Sequence, residues 1–266
     1  MINFYVLSLF PELFDTFFNT SIVKKGFEKQ AFSYTVKNFR EHAVNNYGQV
    51  DDAPYGGGAG MLLRPEPIFD AYKSLNIPEK GKKVLFFSPK GRKLNHKYIL
   101  DLTKLKNIVL ICGHYEGVDQ RVLDSLVDEE ISLGDFVLSG GEIPAMVLMD
   151  AVIRQLDGVI KKGSLQEESF TESLLEYRQY TRPAVYQGMT VPDVLMSGNH
   201  KEIEKFKLMD SIRETLKWRP DLFDNPECYR KISERYQGKE SIESLINKIK
   251  RELNNVSDNK NGTNTY

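Results

Sequence analysis

The chain opens on a short apolar run, Ile2 to Leu9, closed by Pro11-Glu12, and an aromatic-rich stretch from Glu12 to Phe18 follows at helical spacing, so strand then helix is expected. Phe32 to Val36 is a second β-leaning piece. Between Arg40 and Gly60 periodicity gives way to Asn, Asp and Gly, which predicts a long surface loop of the functional kind. Hydrophobic order then returns. A helix begins at Pro65 and runs to about Leu75, a strand covers Val84 to Phe87, a helix lies near Asn95 to Leu102, and Ile108 to Cys112 is the strongest strand. A helix near Asp119 to Leu126, an extended piece around Ile131 and a helix from Glu142 to Leu156 with Pro144 in its first turn complete the series. Alternating strands and helices imply an α/β domain with a mostly parallel sheet, and such sheets bind ligands outside the carboxyl ends of their strands.

After Gly158 the pattern lapses through Lys161-Lys162-Gly163-Ser164 and the acidic Gln166-Glu167-Glu168, and beyond it the chain turns helical. His200 to Leu216 places Ile203, Phe206, Met209, Ile212 and Leu216 on one face, and another helix is expected near Ser241 to Glu252. The expected organisation is an α/β domain over 1–160, a flexible linker over 161–172, a small helical domain over 173–253 and a disordered polar tail over 254–266. With 266 residues and 41% apolar content the chain can fill two such cores. Its 36 basic and 37 acidic residues give no general attraction to nucleic acid, so any RNA contact must come from local patches such as Lys90, Arg92, Lys93 and Lys97. Cys112 and Cys228 are far apart and in no CxxC pattern; they read as small buried hydrophobes in a reducing cytoplasm. The apolar N-terminal run is too short to export or span, so a cytoplasmic protein with no membrane association is expected. His42, His96, His114 and His200 have no zinc-like spacing and read mostly as surface residues, so no metal site is expected.

Chemistry concentrates in four glycine-rich stretches: Tyr55 to Met61, Ser88 to Gly91, Cys112 to Gly117 and Leu133 to Gly141. Glycine lets backbone N–H and C=O groups approach a ligand, which suits a nucleotide-like molecule read through the main chain. Gly56-Gly57-Gly58 lacks the setting of a dinucleotide fingerprint, and no GxxxxGK[ST] is present. Any one stretch alone reads equally as a tight turn; four on one predicted edge read as a cradle. Glu116 and Asp135 lie inside these loops, where a carboxylate binds a ribose hydroxyl or an amine, or simply caps the loop. Arg154 closes the Glu142 helix, where the helix dipole already accounts for a cation, and Glu167 and Glu168 read as solvated linker charges.

Taken in order, these motifs resemble the bacterial tRNA (guanine-N1)-methyltransferases, the TrmD family of the SPOUT class. The resemblance rests on Ser8 to Glu12, Val50 to Met61, Ser88 to Arg92, Cys112 to Gly117, Gly134 to Met146, Tyr180 to Pro183 and Val191 to Gly198. It implies a SPOUT fold with a deep trefoil knot, which the residues alone would not suggest, since alternation by itself gives an ordinary doubly wound sheet. It implies that S-adenosylmethionine is held bent by Phe87, Ser88 and Pro89, by Gly113, Tyr115, Glu116 and Gly117, by Leu133, Gly134, Asp135, Phe136, Val137 and Leu138, and by Gly140, Gly141 and Pro144. It further implies a homodimer whose site is completed by the second subunit, and a tRNA substrate methylated at N1 of guanosine 37, just 3′ of the anticodon. Guanine N1 carries a proton and is a poor nucleophile, so a base must remove it; Glu168, before Ser169-Phe170, matches the family's linker aspartate. Arg154 matches the arginine that would stabilise charge developing on O6.

Three positions depart from the family pattern. Glu168 is one methylene longer than aspartate, which leaves Glu167 as an alternative base, His114 stands for arginine, and Phe136 replaces tyrosine. Whether Mg²⁺ also takes part is left open. Two other classes of function stand beside methyl transfer: a catalytically silent RNA-binding protein, prompted by Glu168 and His114, and a nucleotide-dependent oxidoreductase, prompted by glycine loops alone and opposed by the missing fingerprint.

Overall fold

The computed structural model describes residues 1–261 except 162, 164–167, 172 and 237–240, with side chains described as far as Leu253. The chain forms two compact units, Met1–Lys162 and Gly163–Tyr266.

In the first unit a five-stranded sheet is built from β1 (Ile2–Ser8), β2 (Phe32–Asn38), β5 (Lys82–Lys93), β6 (Asn107–Ile111) and β7 (Glu129–Ser132), in the order β2-β1-β6-β5-β7. Every pairing is parallel. Such a sheet is covered on both faces, and alternate residues of one strand serve different cores. On β1, Ile2, Phe4 and Val6 join one cluster and Leu7 the other; on β6, Ile108 and Leu110 divide from Val109 and Ile111 in the same way. The first face is covered by α1 (Leu13–Phe18), α2 (Ser21–Glu28), α4 (His96–Leu102) and α6 (Glu142–Ile153). The second carries α3 (Pro65–Ser74) and α5 (Gln120–Leu126), while the two-residue strands β3 (Asp51–Asp52) and β4 (Leu62–Leu63) pair antiparallel. The Asn95 and Asp119 side chains cap α4 and α5, accepting from the Tyr98 and Arg121 N–H groups.

Three features of this unit differ from the sequence reading. The helix α2 was not anticipated, because Gly26 and two lysines mask its apolar face; Gly26 is buried where a side chain would meet the Phe32 ring. The strand expected over Val84 to Phe87 runs from Lys82 to Lys93, since Pro89 and Gly91 make an excursion inside it and do not end it. The helix expected to reach Leu156 stops at Ile153, with Arg154 as its C-cap.

The second unit holds a two-stranded hairpin, β8 (Val185–Tyr186) and β9 (Met189–Thr190), then α7 (Asp193–Met196), α8 (His200–Trp218), α9 (Pro226–Arg235) and α10 (Ile242–Asn261). The hairpin and α9 were not anticipated. The backbone of 254–261 continues α10 where an unstructured tail was expected, as extending a formed helix costs far less than starting one. Residues 262–266 lie outside the described set. The buried face of α8 is Leu208, Ser211, Ile212, Thr215 and Leu216 together with Asp210, so Ile203, Phe206 and Met209 are less buried than their spacing suggested. Arg178 draws that stripe toward Asp210, donating from its N–H at 2.8 Å and from its guanidinium at 2.6 Å. Cys228 is buried in this core, and burial pushes its thiol up to about 11.

Candidate active site

Three connections at the carboxyl edge of the sheet create a cavity of about 450 Å³, a volume suited to a small-molecule ligand. The first is the excursion in β5: Ile131 of β7 is opposite both Phe87 and Arg92, so Ser88 to Gly91 leave the ladder and return. A Cβ at Gly91 would lie 2.5 Å from the Glu130 carbonyl carbon, so only glycine lets the excursion lie this close to β7. The second connection follows β6, and its Gly113 carbonyl accepts from the Gly141 N–H at 2.9 Å. A side chain at Gly141 would meet the Cys112 Cα at 2.6 Å, so this pairing of loops also requires glycine. The third runs from Leu133 to Gly141 into α6.

These loops bring together nearly all of the residues singled out as ligand contacts. Phe87 to Pro89, Gly113, Tyr115 to Gly117, Leu133 and Gly134, Phe136 to Leu138, Gly140, Gly141 and Pro144 line the cavity. Asp135 does not: its side chain is exposed and ion-paired with Lys93 at 3.0 Å. The first glycine stretch also lies outside the lining. It buttresses the second loop, where the Glu116 N–H donates to the Met61 carbonyl at 3.1 Å and the Leu63 N–H to the Gly117 carbonyl at 2.9 Å. Lys90 and Arg92, from the basic cluster that phosphate contacts could use, are ion-paired at 3.3 Å with Glu130 and Glu129.

Arg154 is absent from the lining. The helix α6 has 12 residues and is therefore about 18 Å long, with Gly141 and Pro144 at the cavity end and Arg154 half-buried at the other. Glu168 belongs to the second unit. Its carbonyl accepts from the Thr171 N–H in a turn where the Phe170 N–H donates to the Leu174 carbonyl, and Phe170 adopts φ 72°. Glu167, the alternative base, lies outside the described residues.

Sequence reasoning missed the buried polar group behind the cavity. Glu142, 2% exposed, accepts from the Ser8 hydroxyl at 2.7 Å, and its other oxygen lies 2.9 Å from His114 Nε2. One carboxylate thus ties the end of β1, the loop after β6 and the start of α6. His114, which the resemblance sets near the ligand in place of an arginine, lines the cavity and is partly buried, with the Phe10 ring against it at 4.9 Å. Burial, with Glu142 nearby, pushes the Cys112 thiol up, which leaves it an inert member of the core behind the cavity. A glutamate directly after Gly140-Gly141 at the head of an apolar helix was the available signal, yet it reads as ordinary first-turn chemistry.

The lining fits a nucleoside-sized donor such as S-adenosylmethionine. Glycine loops contribute backbone to the lining, Tyr115, Phe136 and Val137 are lining residues with exposed apolar surface, and carboxylates at Glu116 and Glu130 suit a cationic ligand. Among the described residues no group of three or more His, Cys, Asp or Glu side chains is placed to hold a metal ion. None of the described helices is long and apolar enough to cross a membrane.

Fold and cavity together define an α/β protein with a loop-lined cavity at the carboxyl edge of a parallel sheet. The family described as tRNA (Guanine-1)-methyltransferase TrmD matches residues 2–225, and this chain belongs to that family. It is similar to the tRNA (guanine-N(1)-)-methyltransferase of Staphylococcus haemolyticus (strain JCSC1435), 44% identical over 250 residues covering 94% of this chain and 98% of that protein. The protein of the same name from Staphylococcus aureus (strain MRSA252) is 45% identical over 87% of this chain and 96% of its own length. That from Exiguobacterium sibiricum is 49% identical over 84% of this chain and 91% of its own.

Proposed function

We propose that this protein transfers the methyl group of S-adenosylmethionine to N1 of the guanosine just 3′ of the anticodon in tRNA, giving 1-methylguanosine. The observation that carries the reading is the cavity closed by three glycine loops at the sheet edge, in a chain that matches the methyltransferase family over residues 2–225. When bound, S-adenosylmethionine supplies an electrophilic methyl group on a sulfonium. The loops at Ser88, Gly113 and Leu133 to Leu138 hold and orient that ligand through their backbones and keep water from it. Glu168 takes the proton from guanine N1, and Arg154 stabilises the negative charge that develops on O6.

In this reading a second copy supplies Arg154 to the cavity and the working unit is a homodimer, which the absence of Arg154 from the lining of its own chain's cavity supports. An apolar strip supports that assembly: Ile143 and Val147, one turn apart on α6, are 53% and 45% exposed. The proposal includes the family's trefoil knot in the first unit, a tRNA-binding role for the helical second unit and a cytoplasmic location; of the expected linker, residues 162, 164–167 and 172 lie outside the described residues. No step is assigned to Mg²⁺, for which the described residues offer no clustered ligands.

Labelled methyl transfer to an unmodified tRNA transcript, beside one with the target guanosine changed to adenosine, tests the reading. Label on the first transcript alone is the expected result. Absence of label on both, with tRNA still bound, would favour the silent RNA-binding alternative.

A further inference from the structure

The stretch Tyr55 to Met61 is the one glycine-rich motif that takes no part in the cavity lining, yet a lining residue reaches it. Glu116 lines the cavity, its N–H donates to the Met61 carbonyl at 3.1 Å, and its side chain lies across the bare Cα of Gly60. A Cβ at Gly60 would stand 2.5 Å from Glu116 Cγ, 2.6 Å from Oε1 and 2.9 Å from Cδ, all well inside van der Waals contact. Gly56 provides the comparison. It has φ +86° against +84° at Gly60, but a Cβ there would meet nothing within 4 Å. Backbone conformation alone therefore accounts for glycine at 56. At 60 a second requirement is added, room for the Glu116 side chain.

Resting on the proposed use of this cavity for S-adenosylmethionine, we propose that Gly60 is a positioning residue of the donor site. Its missing side chain lets the Glu116 carboxylate stay at the edge of the cavity, and through Glu116 the exposed run Tyr55 to Gly60 is coupled to occupancy of that cavity. The atoms that a methyl group at 60 would strike belong to a flexible side chain and not to backbone, so the substitution displaces the carboxylate and spares the fold. Alanine at 56 and alanine at 60 carry the same strain of positive φ; only the second displaces Glu116.

The test is a double-mutant cycle read by calorimetric binding of S-adenosylhomocysteine, which keeps the cationic ammonium, to the full-length protein. Thermal melting and circular dichroism confirm that each variant is folded. Gly60→Ala is expected to bind about tenfold more weakly than Gly56→Ala, the loss that follows when a charged acceptor is withdrawn. Glu116→Ala lacks the Cγ, Cδ and Oε1 atoms that the new methyl group would strike, so adding Gly60→Ala to it is expected to change binding by less than about twofold. A strain confined to the loop would persist in that background. Binding by Gly60→Ala equal to that of Gly56→Ala, or weakening that persists undiminished with Glu116→Ala, would overturn the inference and leave the cavity assignment intact. Hydrogen exchange on the wild-type protein examines the coupling without a substitution: saturating S-adenosylhomocysteine is expected to slow exchange over 55–61 as well as over 133–141. Slowing over 133–141 alone would overturn the coupling. Failure of the wild-type protein to bind S-adenosylhomocysteine would overturn the cavity assignment and the inference with it.

Discussion

The two ends of α6 differ in how they are held and in what they face. At its start, Gly141 is pressed against the backbone of Cys112 and Glu142 is fixed by Ser8 and His114, so the helix begins inside the ligand cavity as part of its wall. At its other end Arg154, the C-cap, is half-buried and its N–H donates to the Asp150 carbonyl. One helix therefore carries a donor-binding end and the proposed acceptor-side cation about 18 Å apart. A single chain builds the cavity proposed for the methyl donor but does not place the charge that the proposed chemistry needs beside it. Binding and catalysis should separate on substitution.

The largest expected effect is at the far end. Arg154→Ala should lower kcat by about a hundredfold or more, the range for loss of a cation that stabilises developing charge, while calorimetry finds S-adenosylhomocysteine bound as in the wild type. Weakened ligand binding in this variant would remove the contrast between the two ends. At the near end the pattern should invert. A Cβ at Gly141 forces two loop backbones apart, so Gly141→Ala is expected to lose about 1–3 kcal/mol of stability in urea unfolding and to weaken ligand binding. Glu142→Gln should act in the same direction at about 1.5–3 kcal/mol, since it replaces a charged acceptor buried against Ser8 and His114.

The second unit contains a useful control for those effects. Its buried carboxylate, Asp210, is paired with Arg178 and has no part in the cavity, so Arg178→Met should destabilise this unit and leave ligand binding unchanged. Burial opposes the ionisation of Asp210, but the hydrogen bonds from Arg178 outweigh it and hold the carboxyl below its usual value of 3.8. A carboxyl depressed in the folded state adds stability above its unfolded pKa, and that stability is lost as pH falls through the lower folded value. The smallest effect is therefore confined to acid: between wild type and Asp210→Asn, the stability difference measured by thermal melting should shrink below about pH 3.8 and hold steady above it.

Much of the first unit was legible because its signals are local. The continuous apolar run around Ile108 to Ile111 suits a strand buried on both faces, and Asn95, Asp119 and Pro144 mark helix starts with their own chemistry. The glycine loops were equally readable, since a close backbone approach demands glycine wherever it occurs. Features set by distant partners were not readable. Ser8 and Glu142 lie 134 residues apart, and nothing near either announces that they meet. Asp210 looks solvent-facing until Arg178 is placed beside it, and Glu130 looks like one more strand-edge charge until Gly91 lets the β5 excursion close over β7. Arg154 was identified from the resemblance, yet its distance from the cavity follows only from the length and direction of α6.

The most direct test of the proposed two-chain site is complementation between inactive variants. Arg154→Ala protein is expected to lack the cation and Gly141→Ala protein to bind the methyl donor weakly, so at a donor concentration that leaves the second protein largely unliganded each should be nearly inactive alone. Mixed, dissociated and reassociated, they form hybrids in which one of the two sites combines an intact pocket with an intact arginine. The account predicts that methyl transfer to tRNA returns in the mixture, to about a quarter of the wild-type rate if chains pair at random and subunits act independently. A mixture that forms hybrids, as shown by mass spectrometry, but recovers no activity would contradict the claim that the two ends of α6 serve different sites.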